Sequence, residues 1–216
     1  MTTTPSPAET TAPLPLRPVP SWRFWVPLLL QAALIVAIPA KSIYTQLSGR
    51  DVVIQTAPVD PYDLLRGYSV TLNYEISQSG PLDDLPGWKE LSPSQGGPVG
   101  VQPLYVVLKA PPGSPERPPK AWKPVRVSGD RPTDLAADEV ALQGTYNNGW
   151  IQYGLETYYI PEDERDRINN DINQSSWGRG RQPIVVEAKV DKQGNAVLTR
   201  LWVGDRDYGY GFGNGK

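Results

Sequence analysis

Pro58-Val-Asp-Pro-Tyr-Asp-Leu-Leu-Arg-Gly-Tyr-Ser-Val-Thr-Leu-Asn-Tyr-Glu-Ile-Ser77 joins a turn-rich lead-in, a glycine pivot and an alternating run. Pro61 fixes φ near the value a turn needs, and Asp60 and Asp63 can accept from nearby backbone amides, so the lead-in reads as a turn or one helical turn. Gly67 supplies whatever φ the chain needs at the junction. From there Tyr68, Val70, Leu72, Tyr74 and Ile76 fall on one face, and Ser69, Thr71, Asn73, Glu75 and Ser77 on the other. The spacing predicts a half-buried strand over 68–77 with one solvated face, the unit from which antiparallel sheets are built.

Working outward, Val52-Val-Ile-Gln-Thr56 reads as a strand before it. Residues 79–100 are loaded with Pro, Gly and Ser and read as a loop carrying an exposed or capping Trp88. Residues 101–110 form a β-prone strand, and 122–127 form another that Pro124 confines to a sheet edge. Residues 139–146 lead through the Asn147-Asn-Gly149 turn into 150–154, the clearest hairpin, with 155–160 extended beyond Gly154. Residues 161–172 make the soluble helix: Pro161 starts it, acids fill the first turn, and Ile168 and Ile172 lie one turn apart. Residues 183–190 and 196–203 close the domain as a hairpin. The expected fold is mainly β, an antiparallel sandwich or partly open barrel with one short helix.

Phe24 to Ala40 is a run without charge, and continuing to Leu47 crosses only Lys41. At about 1.5 Å per residue the strict run covers roughly 25 Å, and Trp22, Trp25, Lys41 and Tyr44 suit the two interfaces. This predicts a single N-terminal transmembrane helix, with Pro39 marking its far end. A cleaved signal peptide is the competing reading, for which Ile38-Pro-Ala40 is a poor cleavage site. Arg17 and Arg23 before the span balance Lys41 and Arg50 after it. The short N-terminal segment and large C-terminal domain fit an N-terminus in the cytoplasm. The expected divisions are a disordered tail over 1–20, an anchor over 21–47, an extracytoplasmic β domain over 48–205 and a flexible Gly/aromatic tail over 206–216.

Composition narrows the chemistry. Among 216 residues there is no Cys and no His. That removes disulfides, thiolate nucleophiles, the Ser-His-Asp triad and the usual zinc ligands. The 21 basic and 23 acidic residues nearly balance, and the domain after the anchor is slightly acidic, a poor match to nucleic acid. Trp and Tyr supply 18 of the 20 aromatic residues, so most aromatic rings carry a polar handle.

The stretch quoted above resembles the motif of a bacterial family of membrane-anchored proteins named GDYXXLXY. Gly67, Leu72 and Tyr74 stand at the motif's Gly, Leu and second Tyr, while Tyr68 and Ser69 replace its Asp and first Tyr. Tyr153-Gly-Leu-Glu-Thr-Tyr-Tyr-Ile-Pro-Glu162 is similar to a second segment of that family. The resemblance spans about Phe24 to Val203 and implies a C-terminal domain outside the cytoplasm.

The two segments define the candidate binding set: Arg66, Gly67, Tyr68, Tyr74, Glu156 and Tyr158. Arg66 can hold a carboxylate or phosphate through its planar fork with Glu156 orienting it; the structural reading is an ion pair pinning the two halves of the sheet. Ser69 with Lys109 or Lys123 lacks the spacing of a Ser-Lys hydrolase. Asp205, Asp207 and the acids of 162–166 lack a calcium-loop spacing and read as solvated charges. Trp88, Trp122, Trp150, Trp177 and Trp202, with Tyr158 and Tyr159, read first as packing and second as a stacking platform.

The expectation is a non-enzymatic envelope domain that mediates protein interaction or assembly, with no catalytic residue, metal or cofactor. It meets lipid through Phe24 to Tyr44, takes an envelope protein as partner and does not bind nucleic acid. The alternatives are an anchored glycan- or peptide-binding module and an envelope hydrolase.

Overall fold

The computed structural model describes residues 20–57, 69–92, 94, 96–113, 116–159, 164, 167, 168, 170–172 and 183–209. The chain divides into two units, Met1–Ala40 and Lys41–Lys216. Helix α1 (Trp22–Ser48) contains the apolar run and continues past both Pro39 and Lys41, so Pro39 does not end it. Its apolar side chains are exposed, Leu34 at 60 % and Ile38 at 81 %.

The second unit is mainly β. Its strands are β1 (Arg50–Gln55), β2 (Ser69–Thr71), β3 (Val101–Lys109), β4 (Lys123–Ser128), β5 (Glu139–Asn147), β6 (Trp150–Gln152), β7 (Thr157–Tyr159), β8 (Ile184–Val190), β9 (Ala196–Val203) and β10 (Arg206–Gly209). They form two four-stranded antiparallel sheets, ordered β1-β8-β9-β10 and β4-β3-β5-β6, and a small β2-β7 pair.

Period-two alternation makes the sandwich. Leu104, Val106 and Leu108 of β3 and Val186, Ala188 and Val190 of β8 share one core with Val52, Ile54, Leu142 and Leu201. Burying such side chains from both sheets, at about 1.5–3 kcal/mol each, is the main force holding the layers together. On the outer face of β8, Val185 joins Val53 and Trp202 in a second cluster against Trp122. Trp122 donates its backbone N–H to Val53 O (2.8 Å), covering the outer side of β1. Strand β4 lies at a sheet edge, and its register with β3 shifts at Val107/Leu108, opposite Pro124, which has no N–H to give.

Three local expectations change. The strand predicted over 68–77 is paired only at 69–71; Tyr74 makes an isolated bridge to Thr56, and Glu75–Ser77 tightens into a 3-10 turn. Partner β7 is three residues long, so the pairing has nothing to follow. Leu72, Tyr74 and Ile76 stay buried as the alternation requires, but Ser77, assigned to the wet face, is fully buried. Of the two readings of Trp88, exposed or capping, the capping one holds: it is only 4 % exposed and meets the Tyr146 ring edge-on with centroids 6.0 Å apart. Arg206–Gly209, assigned to a loose tail, pairs with β9 because the turn at Gly204 returns the chain along it. Residues 167, 168 and 170–172 are helical, and Ile168 and Ile172 are both buried, as the one-turn spacing requires.

Candidate functional site

The two family-like segments meet. Val70 pairs with Tyr158 across β2 and β7, and Leu72 extends the ladder by donating its N–H to Glu156 O at 2.7 Å. The Tyr74 hydroxyl donates to Leu155 O at 2.6 Å. The Tyr153 hydroxyl donates back to Ile76 O at 2.6 Å. The Tyr158 hydroxyl donates to Tyr208 O at 2.8 Å, joining β7 to β10. Each phenol thus ties together segments distant in sequence.

Of the predicted set, Tyr74, Glu156 and Tyr158 are brought together, and Arg66, Gly67 and Tyr68 lie outside the described residues, as does any Arg66–Glu156 pair. Tyr74 and Tyr158 are both fully buried and donate to backbone carbonyls. They fasten the site from behind. Burial, reinforced by the nearby Glu156 charge, pushes the Tyr74 and Tyr153 phenols well above their usual range. Both stay protonated near neutral pH and act as donors only.

Glu156 is half-buried and reachable. Gly154, at φ +75°, turns the chain so that the Tyr153 N–H reaches Glu156 Oε1 at 2.5 Å. In front of it opens a cleft of about 470 Å³ within the second unit. One wall comes from the last turns of α1 (Lys41, Ser42, Thr45), one from Gln143 and Thr145 of β5, and one from Gln152 and Tyr153. Its floor is the β8–β9 turn, where Gln143 donates its backbone N–H to Gly194 O at 2.9 Å. Gly194 sits at φ +91°, and a Cβ there would press on the Tyr105 ring and Ala141 O at 3.0 and 3.1 Å.

That same turn fastens the helix end, which sequence reasoning missed. Thr45 is fully buried, and its hydroxyl donates to Asp191 Oδ2 at 2.6 Å. Asp191 Oδ1 accepts the backbone N–H groups of Gln193 and Asn195, both at 2.9 Å, and Asn195 Nδ2 donates to both oxygens. Burial alone would raise the Asp191 carboxyl, but these donors, Thr45 first, outweigh it and hold it below the usual carboxylate range. The only signal in sequence is Asp191 at the head of a Lys-Gln-Gly-Asn turn.

A second network joins Asp171 to Arg206 (2.6 Å) and to the Tyr208 hydroxyl. Burial and that carboxylate push Tyr208 up to about 12. Two further acids behave as structural partners: Glu187 Oε1 accepts Trp202 Nε1–H at 2.9 Å, and Asp207 pairs with Arg200 at 3.5 Å. Among the described residues no three acids converge on one point. The cleft can therefore offer one ammonium, one carboxylate and several amide and hydroxyl groups, a set suited to hydrogen-bonded recognition.

Neither the curated proteins nor the solved structures contain a match to this chain. A sequence model described as GDYXXLXY protein matches residues 31–201, a range that takes in the second half of α1, the paired Tyr74 and Glu156 segments and the sandwich through β9. The chain belongs to the GDYXXLXY protein family.

Proposed function

We propose that this chain is a single-pass, membrane-anchored, non-enzymatic domain of the bacterial envelope that mediates protein interaction or assembly. Phe24 to Tyr44 meets lipid, and the β domain that follows lies outside the cytoplasm. The observation that carries the reading is α1 itself. It runs through 27 residues with a mean hydropathy of 1.8 over its most apolar window, none of it buried. An apolar face of that length left in water is unfavourable, and lipid removes the cost. The last turn of the helix also belongs to the hydrogen-bond network around Asp191, and Ile38-Pro-Ala40 is a poor cleavage site, which supports a retained anchor over a removable leader. For a protein contact, Tyr159 offers an aromatic ring 63 % exposed beside the family segments.

The test is purification of the full-length protein in mild detergent after crosslinking in cells. Recovery of one envelope protein at fixed stoichiometry, lost on Tyr159→Glu with an unchanged melting temperature, is the expected result. Recovery of the chain alone, or turnover of an envelope substrate abolished by Ser69→Ala, contradicts it.

A further inference from the structure

We propose that the cleft beside Lys41 binds the headgroup of an ethanolamine phospholipid, Lys41 taking the phosphate and Glu156 the primary ammonium. This rests on the membrane reading above. Lys41 is the first charge after the uncharged run ending at Ala40. Lys41, Ser42 and Thr45 all line the cleft, and they span about 6 Å along the helix. In a bilayer that is the headgroup layer, where a phosphate is the nearest anion to an ammonium side chain.

The lining then selects among headgroups. Glu156 lines the same cleft, with Oε1 taken by the Tyr153 amide; among the described residues Oε2 has no hydrogen-bond partner. A carboxylate there repels an anionic headgroup that lacks a balancing cation. It attracts an ammonium, and Gln143 and Gln152 add carbonyl oxygens for the remaining N–H groups. Choline has no N–H and is recognised by aromatic cages. The one aromatic residue lining the cleft among the described residues is Tyr153, which is 7 % exposed with its hydroxyl donated to Ile76 O. A cleft of about 470 Å³ falls in the range of small-molecule sites, roughly 300–1,000 Å³.

Native mass spectrometry of the full-length protein in detergent, titrated with phosphatidylethanolamine, phosphatidylcholine or phosphatidylglycerol of identical acyl chains, tests the site. The expected result is retention of the ethanolamine lipid about tenfold better than either of the others. Lys41→Gln and Glu156→Gln each abolish the preference; the side-chain amide introduced by Glu156→Gln keeps a carbonyl acceptor for the Tyr153 N–H, so the fold survives. Soluble glycerophosphoethanolamine in excess competes for the same site, which separates headgroup recognition from acyl-chain adhesion. Equal retention of the three lipids overturns the proposal. Alkaline extraction run in parallel distinguishes the failures: a membrane-resistant chain without lipid preference loses the headgroup site alone, and a chain released by alkali loses the membrane reading with it.

Discussion

Replacing Thr45 by valine removes one hydroxyl from a fully buried position while keeping the side-chain volume. Its main effect is then the lost hydrogen bond to Asp191 Oδ2, 2.6 Å long and shorter than the hydroxyl's other contact, 3.1 Å to Lys41 O one turn back. A hydrogen bond to a charged group contributes about 1.5–3 kcal/mol, and no cavity is added. For a domain of this size about 2 kcal/mol corresponds to a fall of roughly 4–8 °C in melting temperature. Tryptophan fluorescence during thermal unfolding of the full-length protein in detergent reads it. The pH dependence carries a second check. Burial opposes ionisation of Asp191, but its donors win and its folded pKa lies below the unfolded value of about 3.9. Stability from that difference is present above about pH 4 and is lost as pH falls through the folded pKa. The Thr45→Val deficit is therefore full at pH 7 and shrinks in acid. A variant that melts with wild type at pH 7, or whose deficit does not change on acidification, refutes the role assigned to this contact.

Tyr74→Phe leaves the Leu155 carbonyl without its phenol donor in a fully buried site and should cost about 1–3 kcal/mol in urea unfolding; no loss would remove Tyr74 from the framework. Gly87 has φ +89°, and a Cβ there would overlap the Val127 carbonyl, so Gly87→Ala should destabilise by about 2 kcal/mol or more, whereas Gly80→Ala, with open space around it, stays near wild type. Because burial raises Tyr74, Tyr153 and Tyr208 above their unfolded values, the stability they supply is complete below about pH 10 and is lost as pH rises towards the folded pKa values. Alkaline unfolding should thus begin above about pH 10 and flatten in a Tyr153→Phe variant; an unchanged alkaline profile would contradict this.

The sheets are legible in the sequence because their signal is periodic and local. Strand alternation needs no tertiary knowledge: Leu104, Val106 and Leu108, or Val186, Ala188 and Val190, repeat at two and bury one face. Asn147-Asn-Gly149 likewise announces its own turn, with Asn148 at φ 48° and Gly149 at φ 91°. Alternation misleads over 75–77, where a 3-10 turn also buries Ile76, because the pattern does not reveal that the partner strand ends. The site is half legible. The motif segments point to Tyr74 and Glu156 together, and hydrogen bonds to backbone carbonyls join those segments. The pairing of Thr45 with Asp191 is not legible, since Asp191 marks only its own turn and a threonine near a helix end 146 residues earlier gives no sign of its partner. For Trp88 the sequence leaves two readings open, exposed or capping, because a loop rich in Pro and Gly does not say whether it folds back over a sheet.

Whether α1 is a retained membrane anchor is decided by alkaline carbonate extraction of membranes from cells expressing the full-length protein, followed by intact-mass measurement of the recovered chain. A retained anchor leaves the chain in the membrane pellet with its N-terminal segment uncut. A chain released to the supernatant, or one shortened to begin beyond Ala40, would contradict it.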